Sequence, residues 1–285
     1  MPVRDPRAGM SPSGGHSGGM TSREEAAAAA AKSGVVIREL HEIGEFSQVF
    51  RLFEQIWRPD PGNAPVSVEM MIGFAHAGNY VTGAYEGDVL VGASVGFRAA
   101  GGALHSHVTG ASIGRGIGYA LKLHQRAWCL EQGLERVTWT FDPLVRRNAR
   151  FNLVKLGARP EEYLRDFYGV MADAINEGDS SDRLLAVWPL DEQPIEPRVE
   201  PAEGRPRVLE EGGDGPLVRA ADTDTDVDVV LVGTPRDVER LRGQDPAAAR
   251  AWRAAMREVL GGLMESGGRV VGLTDHGDYV VALTG

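Results

Sequence analysis

The 285-residue chain has one cysteine (Cys129), only three lysines (Lys32, Lys122 and Lys155), and no apolar run approaching the ~18 residues that mark a bilayer-crossing helix. A single thiol can form neither an internal disulfide nor a cysteine-based metal site. Between Trp128 and Leu130 it reads as a packed helix thiol rather than a nucleophile. Acidic residues outnumber basic ones, 40 to 30, for a net charge of −10. That balance argues against a nucleic-acid coat or a polybasic membrane surface, because each needs the opposite charge. A local basic pocket for a phosphate-bearing molecule stays compatible with it. The N-terminus shows no charged start followed by an apolar run, so no secretory signal is expected and the cytoplasm is the expected location.

What is present is enough for one large or two modest domains: 42% hydrophobic and 7% aromatic residues suit a globular core. Residues 1–33 are rich in Gly, Ser, Pro and Ala and read as a disordered tail with a frayed helix. Order is expected from Gly34. Apolar residues at Phe46, Val49, Phe50, Phe53, Ile56 and Trp57 have helical spacing over 44–57, and Ser67 caps a second helix to Gly78. Strands are expected at 80–85, 89–97 and 104–109, the last with His105, His107 and Thr109 on one face. A glycine-rich turn then opens a helix to about Gln132, followed by a strand at 137–141, a short helix at 147–156, and strands at 163–171 and 183–188. Residues 191–227 read as a linker with a strand near 217–219. Residues 228–285 read as a small α+β unit with a strand at 229–232, a helix begun by Asp245-Pro246, and a hairpin of 270–273 with 279–283.

The stretch Gly114-Arg115-Gly116-Ile117-Gly118 is the feature with chemical content. A helix start carries free N–H groups and a partial positive charge, glycines let an anion approach the backbone, and Arg115 could add a charged contact. Many glycine-rich turns open helices without binding anything. No Gly-Lys-Ser/Thr follows, which excludes a Walker A loop, and the antiparallel context fits a Rossmann unit poorly.

Several stretches carry a family resemblance: Leu104 to Val108, Ala120 to Arg126, Thr138 to Leu144, Asn148 to Asn152 with Lys155-Leu156-Gly157-Ala158, and Asp166 to Gly169 with Asp182-Arg183-Leu184. With the order helix, helix, antiparallel strands, Arg-Gly-Ile-Gly and a later Lys-Leu-Gly, the chain resembles the GNAT superfamily, in particular a branch of predicted GNAT acetyltransferases. The resemblance extends into the C-terminal unit and leaves out roughly the first thirty residues. It implies a GNAT-type domain over 34–190, an α/β (α+β) fold with a mixed, mostly antiparallel sheet flanked by helices, and acetyl-CoA or another short acyl-CoA as co-substrate. It places Thr109, Gly110 and Ala111 along the pantetheine, Ile113, Gly114, Arg115, Gly116, Ile117, Gly118 and Tyr119 around the pyrophosphate, and Asn148 near the thiol end. Two positions depart from the family pattern. Ile113 stands where Arg or Gln is usual, in a loop about three residues short, and Leu153 stands where many members have the tyrosine that protonates the departing thiolate.

Amine attack on a thioester needs a base, an oxyanion donor and a proton for the leaving sulfur. His107 is the first candidate base and His105 the second, with a backbone N–H near Val108–Gly110 for the oxyanion. Either histidine could equally be a satisfied strand residue, and two at i, i+2 without a third ligand do not make a zinc site. Asp142 could orient a histidine, bind the acceptor's ammonium group, or only form a turn before Pro143. Arg146 and Arg147 could meet a substrate carboxylate, and Tyr163 and Tyr168 are further proton-donor candidates. The resulting expectation is an N-acyltransferase moving a small acyl group to a primary amine, an amino acid-like metabolite being the favoured acceptor, with a homodimer possible. The rival is a GNAT-like CoA-binding or regulatory module without catalysis.

Overall fold

The computed structural model describes residues 20–59, 63–169, 179–190, 199–213, 215–219 and 228–283. Its larger sheet has seven strands: β1 (Val36–Glu39), β2 (Tyr80–Glu86), β3 (Val89–Ala99), β4 (Ala103–Ala111), β5 (Arg136–Phe141), β6 (Arg159–Leu164) and β7 (Arg183–Pro189), in the order β1-β2-β3-β4-β5-β7-β6. Every neighbouring pair is antiparallel except β4 and β5. The expected fold, a mixed and mostly antiparallel sheet flanked by helices, is the fold observed.

Helices cover both faces. On one, α2 (Ile43–Trp57) and α3 (Val68–His76) bury Phe46, Val49, Phe53 and Met71 against Val81, Val95 and Val108 of the sheet. Ser67 caps α3 by accepting from the Met70 N–H, as its position before the apolar run implied. On the other face, α4 (Ile117–Glu131) buries Ile117, Leu121 and Trp128. The helix expected to be frayed within the tail is a capped helix, α1 (Ser22–Lys32), while residues 1–19 lie outside the described part. Alanine buries little area but is the best helix former. A Thr21–Glu24 capping box starts α1, and Arg23–Glu131 and Arg126–Glu25 pairs tie it to α4.

A second sheet has the order β11-β12-β10-β8-β9, built from β8 (Arg207–Gly212), β9 (Gly215–Val218), β10 (Val229–Val232), β11 (Arg269–Leu273) and β12 (Tyr279–Ala282). β8 and β9 fall in the stretch expected to be a linker with one strand near 217–219; β9 is that strand, and Pro, Glu and Gly had masked its hairpin partner β8. The short helix expected at 147–156 is α5 (Arg146–Ala149) with a π-helical continuation, Arg150–Lys155. Two helices, α6 (Val238–Gln244) and α7 (Pro246–Met256), accompany the second sheet, and the sequence had signalled only α7. One cluster of buried apolar residues runs through both sheets, joining Trp139, Tyr163 and Leu184 to Trp252, Met256 and Tyr279. The strand expected at 163–171 coincides with β6 only at Tyr163 and Leu164; β6 starts four residues earlier, and residues 170–171 lie outside the described part. Pro160 and two glutamates suit an edge strand, and a turn at 165–169 follows with Asp166 at φ 46°.

Candidate active site

β4 and β5 pair only through Ala103 with Arg136, Leu104 with Val137 and His105 with Thr138. Beyond those residues the strands part, and β5 pairs with β7 over its whole length, so β4 from Ser106 onward has no strand partner on that side among the described residues. A cleft of about 660 Å³ opens at this wedge, with Thr109, Gly110, Ala111 and Ile113 on one side and Thr140, Phe141, Asn148 and Tyr168 on the other.

A β-bulge sits at the same place. Val95 faces Val108 and Gly96 faces Ser106, leaving His107 as the extra residue of β4. The bulge reverses the alternation expected from the sequence. Thr109 joins Ser106 on the α4 side, their hydroxyl oxygens 3.5 Å apart, whereas Val108 packs with α2. His105, His107 and Thr109 therefore do not share a face. Gly110 also faces α2, and a Cβ there would lie 2.6 Å from Trp57 Cη2, so only glycine lets the cleft wall approach the indole.

At one mouth of the cleft the turn after β4 leads into α4. Gly114 (φ 88°) and Gly116 (φ 77°, the N-cap) are left-handed, which explains glycine at both. The N–H groups of residues 113–118 have no main-chain partner among the described residues, Ser112 to Gly116 are exposed, and a Cβ at Gly114 or Gly118 would meet nothing within 4 Å. Unpartnered amides at an exposed helix start suit a phosphate-bearing group. Ile113 is 85% exposed and obstructs none of them. Arg115 points elsewhere than expected, to Glu86 at 2.6 Å, and Ile117 is buried in the core beneath the turn. Tyr119 lies under the Lys155 ammonium, 4.4 Å from its ring centre.

The two histidines have different settings. His107 lines the cleft, and its Nε2 is 2.9 Å from the Pro65 carbonyl oxygen. A carbonyl only accepts, so Nε2 carries the hydrogen and Nδ1 of the neutral ring keeps a lone pair. His105 does not line the cleft. Its Nδ1 meets Thr138 Oγ1 at 3.1 Å, its ring lies against Phe97, and burial lowers its pKa, followed by the nearby His107 and Lys122. That setting is the satisfied strand histidine rather than the second base.

Asp142 bonds to neither histidine. Its carboxylate accepts from the Leu144 N–H (2.9 Å), Arg242 (2.6 Å) and Arg253 (2.7 and 2.9 Å). Burial opposes its charge, but Arg253 and Arg242 together outweigh that and hold the carboxyl well below the ordinary range. Asp142 lines the cleft, but it is buried and its carboxylate is taken up by two guanidiniums, the setting of a structural anchor. Arg146 donates to Thr234, while Arg147 reaches the cleft and pairs with Glu239 of α6 at 2.8 Å. Tyr163 donates to Asp182 away from the cleft. Tyr168 lines it, 3.0 Å from Thr140 Oγ1. The sequence reading missed Arg183, Glu239 and Arg242, which also line the cleft. The two α6 residues come from a helix with no strong apolar stripe and reach the site only through tertiary packing.

No protein-family model and no curated protein matches the chain. Among solved structures, it is similar to a GNAT-family protein from Desulfovibrio desulfuricans described as an acetyltransferase (20% identity, 55% of this chain and 99% of that one, TM-score 0.45). It is also similar to the ribosomal-protein-S18-alanine N-acetyltransferase from Escherichia coli (13%, 56% and 96%, TM-score 0.43) and to the aminoglycoside 6'-N-acetyltransferase from Enterococcus faecium (16%, 56% and 99%, TM-score 0.42). The likeness is one of fold.

Proposed function

We propose that this protein is an acyl-CoA-dependent N-acyltransferase that moves an acetyl or similarly small acyl group to a primary amine. The observation that carries the reading is the parting of β4 and β5 beside an exposed helix start with unpartnered amides. The residues present fit an acyl-CoA: the amides of 113–118 for the diphosphate, the edge of β4 at Thr109–Ala111 for the pantetheine amides, and Asn148 toward the thiol end. When bound, the co-substrate supplies an activated acyl carbonyl and a thiol leaving group.

The chain's own groups supply the rest. His107 Nδ1 takes a proton from the acceptor ammonium, its ring held by the Pro65 carbonyl. A main-chain N–H near Val108–Gly110, beside the bulge, faces the developing oxyanion. Arg147, Arg183 and Arg242 line the cleft against Asp142 and Glu239, an excess of one positive charge that suits an acceptor bearing a carboxylate, such as an amino acid-like metabolite.

The test is thiol release from acetyl-CoA and succinyl-CoA across a panel of amines with and without carboxylates. Turnover favouring carboxylate-bearing amines is expected. No release above background with any pair sinks the proposal, and calorimetric CoA binding in that case would identify a non-catalytic CoA-binding module.

A further inference from the structure

Acyl transfer from a thioester leaves a thiolate that must be protonated, and Leu153 is packed against the core, where it offers no proton. The structure contains a different proton source at the apex of the wedge. Lys122 projects from α4 to the point where β4 and β5 separate and is 5% exposed. Its Nζ donates to Ser106 Oγ on β4 (2.9 Å) and Gln125 Oε1 (3.2 Å), and lies 3.9 Å from the ring centre of Trp139 on β5. Ser106 and Trp139 are the first residues past the last β4–β5 pair.

These contacts belong to a closed ring of polar side chains. Gln125 Nε2 donates to Ser94 Oγ (3.3 Å), Ser94 Oγ meets Thr109 Oγ1 (2.8 Å), and Thr109 Oγ1 returns to Ser106 Oγ (3.5 Å, the longest link). Thr109 alone among the ring's members lines the cleft. The bulge at His107 closes the ring, since regular alternation would place Thr109 on the opposite face from Ser106.

The hydroxyl directions follow from the charge on Lys122. An ammonium only donates, so Ser106 accepts from it and is free to donate to Thr109; Ser94, which accepts from Gln125, donates to Thr109 as well, and the Thr109 hydrogen is left for the cleft. A neutral amine accepts from Ser106, Ser106 in turn accepts from Thr109, and Thr109 then shows the cleft a lone pair. Among titratable groups acting on Lys122 are Cys129 on its own helix and His105 on β4. The elements against it otherwise present the neutral Ser106, Gln125 and Trp139. Burial brings the ammonium down to about 7, below an ordinary thiol near ~8.5, so proton delivery to a thiolate is downhill. The Trp139 face offsets part of that cost by favouring the charged form.

Resting on the acyl-transfer reading above, we infer that Lys122 is the proton reservoir for the leaving group, acting through Ser106 and Thr109. As the carbon–sulfur bond breaks and its electron pair goes to sulfur, Thr109 gives its hydroxyl proton to that sulfur. Ser106 replaces the proton on Thr109, and Lys122 replaces it on Ser106 and becomes neutral. Lys122 recovers a proton from solvent before the next turnover. Thr109 is the group that touches the substrate, and Lys122 and Ser106 act through it.

With three lysines in the chain, the test is direct. In protein labelled with ¹³C-lysine and free of ligand, NMR should show one lysine titrating near neutrality, absent in Lys122→Met and displaced in Ser106→Ala. In thiol-release assays, wild-type kcat should fall as pH rises above about 7. Lys122→Met and Thr109→Val should each lose roughly 10²-fold and lack that alkaline fall, the double variant should lose little more, and Thr109→Ser should restore both rate and pH dependence. Lys122→Arg, which keeps the charge but yields no proton, should behave like Lys122→Met. Turnover in wild type with all three lysines titrating above 9 overturns the relay alone, as does a Lys122→Met profile that keeps the alkaline fall. Wild-type protein that releases no thiol with any pair sinks the acyl-transfer reading and the relay with it.

Discussion

Single positions in the wedge carry measurable consequences. An alanine Cβ at 110 would lie 2.6 Å from Trp57 Cη2 and 2.9 Å from Ile56 Cδ1, too close for either half-buried side chain to keep its place. Gly110→Ala should cost about 1–3 kcal/mol by overpacking, seen as a lower urea midpoint at unchanged slope. A variant as stable as wild type would mean that Trp57 does not press on the strand. Lys122 makes a second prediction whose sign can be worked out. Its folded value, about 7, lies below that of the unfolded chain, so from pH 7 upward the unfolded chain holds a proton that the folded one has lost. Stability therefore rises with pH, by up to about 1.4 kcal/mol per unit. The window from 7 to about 8.5 isolates this effect. Burial lowers the values of His105 and His124, so their contribution is complete by the ordinary histidine range. Burial raises Cys129 to about 12, and its opposing effect begins only where an unfolded thiol ionises. Unfolding free energies measured across that window should rise in wild type and stay level in Lys122→Met. Equal pH dependence in both would show that Lys122 is not held in a desolvated setting.

Elements whose burial is periodic were legible in the sequence: α2, α3, α4, the strands β2 to β5, β7 and the closing hairpin all lie close to where pattern and caps placed them. The glycine turn was legible because a left-handed backbone demands glycine at 114 and 116. What stayed hidden depends on partners. The bulge at His107 exists only through the pairing of β3 with β4, and nothing within Leu104–Thr109 announces it. Consequently the face containing Thr109, and with it the Lys122 ring, could not be assigned from alternation. α6 was hidden because it is short, and its Arg242 acquires meaning only against Asp142, a hundred residues earlier. That pairing gives the element-scale prediction. Asp142 and Asp179 bind Arg242 and Arg253 in a buried network. Asp142→Ala should cost about 3–5 kcal/mol, because it leaves buried guanidiniums undercompensated. Since the Asp142 carboxyl is held below its unfolded value, its contribution is complete above the ordinary carboxylate range and is lost as pH falls through the lower folded value. The gap between wild type and Asp142→Ala in thermal melts should thus be full at pH 7 and narrow only in strong acid. A gap independent of pH would mean that the carboxylate's charge is not what the variant removes.

At the scale of the whole molecule, the wedge is completed by residues far from it in sequence. Tyr279 donates to the Pro143 carbonyl, Arg146 to Thr234, and Arg257 to Asp182, so the second sheet and its helices grip the turn after β5 and the start of β7. The same region delivers Glu239 and Arg242 to the cleft. Its apolar residues are continuous with those beneath β5, β6 and β7, and Trp252, Met256, Leu260 and Tyr279 are each at most 2% exposed. Burying a side chain of that kind contributes about 1.5–3 kcal/mol, so separating the two sheets would forfeit an amount comparable to the ~5–15 kcal/mol by which a typical domain is stable. The chain should therefore unfold in one calorimetric transition, with the two sheets melting together. A chain ending at residue 190 should fail to fold cooperatively, because it exposes the face that Trp252 and Tyr279 cover and leaves Asp142 without Arg242 and Arg253. Two resolved transitions in the full chain, or a 1–190 fragment that melts cooperatively and still releases thiol from acyl-CoA, would show instead that the second sheet is an independent attachment and that the cationic wall is dispensable.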